Sequence, residues 1–254
     1  MSVVTLGTLG SLIASLGTTL GALPALFLTR ASDKTLNVLL GAAAGVMLAT
    51  TAFGLVGPAI DIADGTWPGW GIWAVSAGML LGAIFLDRAD AWLPHEHFLL
   101  GREGPDSSWR RIWLFVIAVT IHNFPEGLSV GVGFGQEDFG HGVAIATGIG
   151  LQDIPEGLCV ALPLMALGYS RWRAVAIASL TGFAEPIGGL LGSTAIYFFR
   201  WLLPFAMAFA GGAMLFVITE EVIPETHRKG QSRIATFGLM LGFVIMMIMD
   251  KLLG

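Results

Sequence analysis

Two related hexapeptides place polar side chains, a proline and a glycine inside long apolar runs. They are His122-Asn123-Phe124-Pro125-Glu126-Gly127 and, thirty residues later, Gln152-Asp153-Ile154-Pro155-Glu156-Gly157. In a helix, the first, second and fifth residues of each hexapeptide share one face. An ionisable residue in a lipid-spanning helix costs roughly 2.5 kcal/mol or more, so such residues usually serve a function. Each hexapeptide therefore predicts half of a binding site.

A third apolar segment carries Glu185, followed directly by Pro186. At about 1.5 Å per residue, His122, Asp153 and Glu185 lie roughly 15 to 18 Å from the starts of their apolar runs. That depth is near the middle of a hydrocarbon core about 30 Å thick. We therefore expect three helices to bring polar side chains to one level of the membrane.

Each of the three segments also contains a proline beside its polar residues. Because proline has no backbone N–H, we expect each one to free the carbonyl four residues earlier and to kink its helix. The freed carbonyls would be those of Ile121, Leu151 and Gly182. Such groups are tolerated within a membrane where they are buried in protein or line a polar cavity.

The acidic residues of these segments constrain the charge of the ligand. Glu126, Asp153, Glu156 and Glu185 total −4 if all are ionised, and His122 must be neutral to bind a metal. Two divalent cations would balance four carboxylates. Imidazole, carboxylate and amide ligands suit Zn²⁺, whereas Ca²⁺ favours oxygen ligands alone. Fe²⁺, Mn²⁺ and Cd²⁺ are the alternatives to Zn²⁺. We expect the metal to be a substrate and expect no catalytic cofactor.

Three further groups allow more than one interpretation. Met47 is also near mid-depth and could add a thioether ligand, but a methionine there more often packs or faces lipid. Cys159 lies one turn beyond Glu156, where a small buried thiol is more often a packing residue. The segment His95-Glu96-His97 is either a solvated loop or a weak metal-capturing sequence.

The overall composition is typical of a membrane protein with several spans. Of the 254 residues, 55% are hydrophobic and 12% charged, and the mean hydropathy is +0.77. These values exclude an ordinary soluble domain and favour one membrane domain over 1–254. The net charge of −5 comes without a basic patch, so no nucleic-acid partner is expected. A single cysteine excludes an internal disulfide.

Eight apolar runs are long enough to cross a bilayer as helices. They cover 3–29, 36–61, 70–90, 112–134, 142–168, 174–198, 202–224 and 234–252. The first run has no basic start and is too long for a signal peptide core, so it is expected to be retained. All eight tryptophans fall at or near the ends of these runs, as an interfacial aromatic belt requires.

Basic residues predict the orientation of the spans. Of 13 Lys and Arg residues, 11 fall in alternate connections or the adjoining span ends, and only Arg200 and Lys251 fall on the other side. Cytoplasmic loops are rich in basic residues, so both termini should be extracellular or periplasmic and the loop of about 91–111 cytoplasmic. Antiparallel fourth and fifth spans with matching motifs favour an inverted repeat of 3+2+3 spans, with the binding site at its interface.

The two hexapeptides, Ala184-Glu185-Pro186 and the sequence EEVIPETH at 220–227 together resemble the signature of the Zrt-/Irt-like, or ZIP, metal transporters. The resemblance extends over nearly the whole chain. It implies a binuclear metal site, with one half formed by Met47, His122, Glu126, Gln152 and Glu156. The other half would contain Asn123, Asp153 and Glu185, with Glu126 and Glu156 bridging both ions.

The same resemblance implies a route through the membrane. Asp61 and Asp250 resemble acids at the entrance. The residues that resemble an exit on the cytoplasmic side are Asp90, His95, His97, Glu220, Glu221, Glu225 and His227. Many members of the family carry His where this chain has Glu220. The metal ligands at the exit of this chain are therefore chemically harder and richer in oxygen. Expected partners are divalent metal ions and the lipid bilayer, and the question of a homodimer is left open.

The function expected from these residues is transport of divalent metal, most of all Zn²⁺, toward the cytoplasm by a multi-pass protein of the cell membrane. An intramembrane metal-dependent hydrolase is the alternative, with Glu126 or Glu156 as the general base. It lacks an HExxH motif and an evident open coordination position. A passive channel would use the same residues, and the sequence does not separate it from a carrier.

Overall fold

The computed structural model describes residues 1–28, 32–92, 108–135, 139–227 and 232–253, and all regular structure in these ranges is helical. The α-helices are α1 (Val3–Ala22), α2 (Asp33–Ala49), α3 (Gly57–Thr66), α4 (Gly71–Trp92), α5 (Ser108–Gly133), α6 (Phe139–Ala166), α7 (Arg171–Thr181), α8 (Ala184–Phe198), α9 (Leu203–Val217), α10 (Ile223–His227) and α11 (Ser232–Leu253). Two 3₁₀ turns, Leu23–Leu26 and Arg200–Leu202, and two π-helical segments, Thr50–Val56 and Ile218–Val222, adjoin them.

Seven helical stretches in the described residues are long and apolar enough to cross a membrane. They are Val3–Leu26, Lys34–Thr66, Gly71–Arg88, Phe139–Met165, Arg171–Phe198, Arg200–Glu220 and Arg233–Leu253. The remaining predicted span, 112–134, corresponds to α5, which is not among the seven. It has 26 residues, a sufficient length to cross a bilayer. The chain is thus a multi-pass membrane protein.

Two of these stretches change their helical pitch partway through. In the second, α2 continues through Thr50–Val56 into α3, and in the sixth, α9 continues through Ile218–Val222 into α10. A proline follows each π-helical segment closely, Pro58 in α3 and Pro224 in α10. Proline cannot complete the regular hydrogen-bond ladder, and π-helical segments are frequent at functional sites.

Close glycine contacts hold four helix pairs together. A Cβ at Gly157 of α6 would overlap the carbonyl oxygen of Thr18 in α1, and one at Gly131 of α5 would overlap that of Gly189 in α8. The pairs α2–α11 and α4–α9 contain equivalent contacts at Gly45 and Gly82. The glycines within 41–45 and 188–189 all make such contacts, since small residues let membrane helices approach.

These contacts sort the long helices into two groups. The first helix group contains α1, α5, α6, α7 and α8, and the second contains α2, α3, α4, α9 and α11. The groups meet where α2 packs against α6 and where α5 packs against α9. All four acids of the predicted cluster belong to the first group, whereas Met47 belongs to the second.

Aromatic contacts align the ends of several spans. Trp67, just after α3, meets Trp201, just before α9, edge to face with ring centroids 6.3 Å apart. Near the opposite ends of the helices, Nε1 of Trp113 in α5 donates a hydrogen bond to the hydroxyl of Tyr169 at 2.9 Å. Both pairs lie at the span ends that the tryptophan pattern predicts, where amphipathic rings suit the membrane interface.

Candidate metal site

Glu126, Asp153 and Glu156 meet at the contact between α5 and α6. One carboxylate oxygen from each lies within 4.8 Å of those from the other two, and all three residues are buried. Among the described residues, this is the single group of three or more His, Cys, Asp or Glu side chains close enough to hold one metal ion. The side-chain amide of Gln152 donates to Oε1 of Glu126 at 2.5 Å and so ties the two hexapeptides together.

Glu185 approaches this group from the first turn of α8 and is fully buried. Its carboxylate is close enough to Glu126, Glu156 and Asp153 for their negative charges to repel it. The N-terminus of α8 partly offsets this repulsion, because the helix dipole favours a negative charge there. Carboxylates from three helices thus share one buried region.

The break before α8 corrects one prediction about the prolines. The stretch Arg171–Phe198 is not a single continuous helix, since α7 ends at Thr181 and α8 begins at Ala184. The carbonyl of Gly182, expected to be freed by Pro186, accepts the N–H of Glu185 at 3.1 Å. A tighter turn supplies the donor that a regular helix would have lost, and it also orients the start of α8. By contrast, α5 and α6 continue through Pro125 and Pro155.

Several polar atoms of the cluster are buried without a hydrogen bond to any described residue. They are both side-chain polar atoms of Asn123, both carboxylate oxygens of Asp153 and of Glu185, Oε2 of Glu126 and Oε1 of Gln152. Leaving a buried polar atom without a partner costs about 1 to 3 kcal/mol, and more if it is charged. The sequence contains no Lys or Arg between Arg111 and Arg171, so α6 and most of α5 bring no lysine or arginine to offset the carboxylates. This arrangement suits the binding of cations.

The remaining predicted midplane residues are also buried. His122 and Asn123 precede Glu126 on α5 by four and three positions and so share its helix face. Met47 is completely buried in an apolar cluster that includes Ile145 and Ile149 of α6, the latter one turn before Gln152. This environment agrees with packing, and a role for its sulfur as a ligand stays a prediction.

The glycine of each hexapeptide has a role that the sequence analysis did not identify. A Cβ at Gly127 would overlap the backbone carbonyl of Glu185, and one at Gly157 would overlap that of Thr18. On α1, a Cβ at Gly17 would lie 3.0 Å from Cβ of Asp153. The absence of side chains lets α8 and α1 approach the acids closely. The sequence did contain a sign of this role, because a glycine directly follows the glutamate in both hexapeptides.

Of the predicted entrance and exit residues, the three whose side chains the structure describes do not join this group. Asp61 is exposed in α3, Asp250 is half-buried in α11, and Glu220 is exposed in the second π-helical segment. The backbone is helical at Asp90, Glu221, Glu225 and His227. His95 and His97 lie outside the described residues. Sequence analysis also overlooked His141, which is buried at the start of α6.

Long apolar helices around buried carboxylates and amides define a class of protein, a multi-pass membrane protein with an internal site suited to cations. A family model described as ZIP zinc transporter matches residues 102–250. The chain is 47% identical to zinc transporter GufA of Myxococcus xanthus, over 98% of this chain and 99% of the relative. It is 44% identical to zinc transporter ZIPB of Bordetella bronchiseptica, over 97% and 81%. It is 35% identical to human zinc transporter ZIP11, over 85% and 87%.

The chain belongs to the ZIP zinc transporter family. It is therefore a membrane transporter of divalent metal and not an enzyme, and the alternative of an intramembrane hydrolase is not supported. The resemblance inferred from the paired hexapeptides is confirmed.

Proposed function

We propose that this protein carries Zn²⁺ across the cell membrane toward the cytoplasm through a binuclear site in the middle of the bilayer. The proposal rests on one observation, that the carboxylates of Glu126, Asp153 and Glu156 are buried and lie close enough together to bind one metal ion. The substrate is supported by relatives over nearly the full chain that are named zinc transporters. Fe²⁺, Mn²⁺ and Cd²⁺ have similar ligand preferences and are the competing substrates.

In the proposed site, the two ions divide the ligands between them. The first ion binds His122 and Gln152, with Met47 as an additional soft ligand. The second ion binds Asn123, Asp153 and Glu185. Glu126 and Glu156 bridge both, since each lies one turn from two further ligands on its own helix. The charge supports two ions, because one divalent ion would leave four carboxylates with an excess of negative charge at low dielectric.

The proposed topology has eight spans, with α5 as the fourth, in a 3+2+3 inverted repeat within one domain. Two features support the repeat. Spans two and seven correspond under it, and each contains a π-helical segment in its second half. The hexapeptides lie on the fourth and fifth spans, the central pair of the repeat. In such transporters the binding site usually lies at the repeat interface.

Both termini are proposed to be extracellular or periplasmic, on the basis of the 11 of 13 basic residues in alternate connections or span ends. In that orientation Asp61 and Asp250 lie on the entrance side, while Glu220, Glu221, Glu225 and His227 lie on the exit side with Asp90, His95 and His97. Cysteine labelling in intact cells tests the orientation. A cysteine at Gly65 should react with an impermeant reagent and one at Pro105 should not. The reverse pattern would exchange entrance and exit.

Uptake of radioactive zinc into sealed proteoliposomes tests the function. We expect uptake that saturates with zinc concentration and that is reduced by competing Cd²⁺, since both ions need the same ligands. Phospholipid hydrolysis, measured in the same vesicles, should stay at the level of empty liposomes. Uptake that rises linearly without saturation would favour a channel, and the absence of zinc-dependent uptake would refute the proposal.

A further inference from the structure

His141 makes a hydrogen bond that determines which of its two ring nitrogens can bind a metal ion. The residue lies in the first turn of α6 and is 7% exposed. Its Nε2 is 2.8 Å from the carbonyl oxygen of Gly54. A carbonyl only accepts, so Nε2 must carry the hydrogen and donate it. In the neutral ring the lone pair is then on Nδ1, which is the nitrogen able to bind a metal.

The Gly54 carbonyl is available because of the local sequence of the second span. Gly54 lies within the π-helical segment Thr50–Val56. In a regular helix its carbonyl would accept from the residue four positions later, but that residue is Pro58, which has no N–H. His141 thus supplies a donor from another helix, and the bond joins the first helix group to the second.

Asp250 on α11 lies in the same region as this imidazole. Met246, one turn earlier on α11, packs against Gly148, two turns after His141 on α6, and the Asp250 carboxylate is close enough for an electrostatic interaction with His141 and with the neighbouring Lys251. Its Oδ1 is buried and has no hydrogen-bond partner among the described residues. A histidine that binds zinc through one ring nitrogen usually donates the N–H of the other nitrogen to a backbone carbonyl, a carboxylate or water. The bond from His141 to Gly54 fits this pattern.

A second pair of possible metal ligands lies closer to the midplane cluster, where the segment Thr50–Val56, α6 and α11 meet. Met246 is one turn before Asp250 on α11, and Thr50 is one turn before Gly54. Sδ of Met246 and Oγ1 of Thr50 lie 2.6 and 3.2 Å from the position that a Cβ on Gly148 would occupy. Oγ1 of Thr50 is buried without a partner. This level is about 10 Å along α6 from His141, and Gln152 of the midplane cluster is one further turn on.

We propose that Nδ1 of His141 and the carboxylate of Asp250 form a separate site for a Zn²⁺-like cation, from which the ion passes the level of Thr50 and Met246 to the midplane cluster. Two protein ligands leave the remaining positions of a tetrahedral ion to water. Such a site binds weakly and releases its ion readily, as a site on a path requires. The inference deepens the proposed function and rests on it.

Zinc and cadmium uptake by purified variants in proteoliposomes tests the site. We expect His141→Ala and Asp250→Asn to raise the KM for zinc by about fivefold while the maximal rate changes by less than about twofold, because loading is weakened and the midplane site is intact. The matched control is Thr147→Ala on the same helix, whose hydroxyl is exposed and bonds only to Val143 of its own helix. It should behave as the unaltered protein does.

His141→Cys separates a ligand from a structural contact. A thiolate at this position binds soft ions, so the ratio of the zinc KM to the cadmium KM should rise by about fivefold or more over that of the unaltered protein. Cys159 is present in every variant and cancels from the comparison.

An unchanged zinc KM in His141→Ala would overturn the inference, as would a lower maximal rate with unchanged KM, which would assign His141 a structural contact with Gly54 alone. The same holds if cysteine leaves the preference between the two metals unaltered. Absence of uptake by the unaltered protein would instead refute the proposed function. The two failures are therefore distinguishable.

Discussion

The hexapeptides of α5 and α6 are alike in sequence but lie in different surroundings. In α5, Phe124 borders an apolar cavity of about 270 Å³ with Phe85 and Leu86 of α4, so this hexapeptide faces the second helix group. In α6, the matching Ile154 is 38% exposed, on the outer surface of the helices. The apolar residue before the proline thus lies at an interface between helix groups in α5 and near the outside in α6.

Their glycines differ in the same way. Gly127 brings α8 against α5, and with it the carboxylate of Glu185, whereas Gly157 brings the backbone of α1 against α6. The close contact at Gly127 therefore adds the carboxylate of Glu185 to the cluster, whereas the contact at Gly157 adds only the uncharged backbone of α1. The comparison teaches that a repeated motif supplies the ligands and that its neighbours decide how many more join them. Four variants test this difference.

The largest effect is expected for Glu156→Ala. In the proposed site, this change removes a bridge, so two cations would repel each other at about 3.5 to 4 Å with less negative charge between them. We expect zinc uptake to fall by about 100-fold, measured at equal protein in proteoliposomes. Thr147→Ala on the same helix serves as the control and should retain full uptake. Retention of more than about a third of the uptake by Glu156→Ala would exclude a bridging role.

An intermediate effect is expected for alanine at the two glycines. Each new Cβ would overlap a backbone carbonyl, so both variants should lose about 1 to 3 kcal/mol of stability, measured by thermal unfolding in detergent. Only Gly127→Ala displaces Glu185 from Glu126, so at equal folded protein its zinc uptake should fall about tenfold, against about threefold or less for Gly157→Ala.

Gly65→Ala is the matched control for these two variants, since no atom of the residues that the structure describes lies within 4 Å of its added Cβ. Its unfolding temperature and its zinc uptake should equal those of the unaltered protein. Equal uptake by Gly127→Ala and Gly157→Ala would show that the approach of α8 does not set the site, and the comparison of the two hexapeptides would lose its functional meaning.

The smallest effect is expected for Asn123→Ala. It removes a neutral ligand of the second ion and leaves His122, Glu126, Gln152 and Glu156 for the first. Zinc uptake should therefore fall by less than about fivefold, and the preference between zinc and cadmium should shift. If this variant is as inactive as Glu156→Ala, the second ion is obligatory and the proposed division into a primary and an auxiliary site is wrong.

Much of the architecture could be predicted because the responsible signals are local. Apolar runs predicted the spans, and seven of the eight correspond to candidate membrane helices, with boundaries mostly within a few residues. The second extends to Thr66, the end of α3 and five residues past its predicted end, and it contains the π-helical segment Thr50–Val56. A π-helical segment has no strong sequence pattern, since it depends on packing at both of its ends.

The candidate site could be predicted in its residue types but not in its geometry. Spacing within each hexapeptide places its polar residues on one helix face, and this follows from helical periodicity alone. That Gln152 bonds to Glu126 depends instead on how α5 and α6 are rotated against each other. The prediction for the carbonyl of Gly182 was wrong because the chain turns there and supplies the N–H of Glu185.

The sequence by itself determined the membrane class, the family and the set of acids, because composition, hydropathy and short motifs do not depend on contacts between distant segments. Only the tertiary structure decided that Glu185 lies against Gly127 and that His141 bonds to Gly54. The second pair is 87 residues apart in the chain. Such contacts arise from backbone-to-backbone packing of whole helices, in which the absence of a single Cβ controls the approach, and no local pattern encodes which helix will occupy the space.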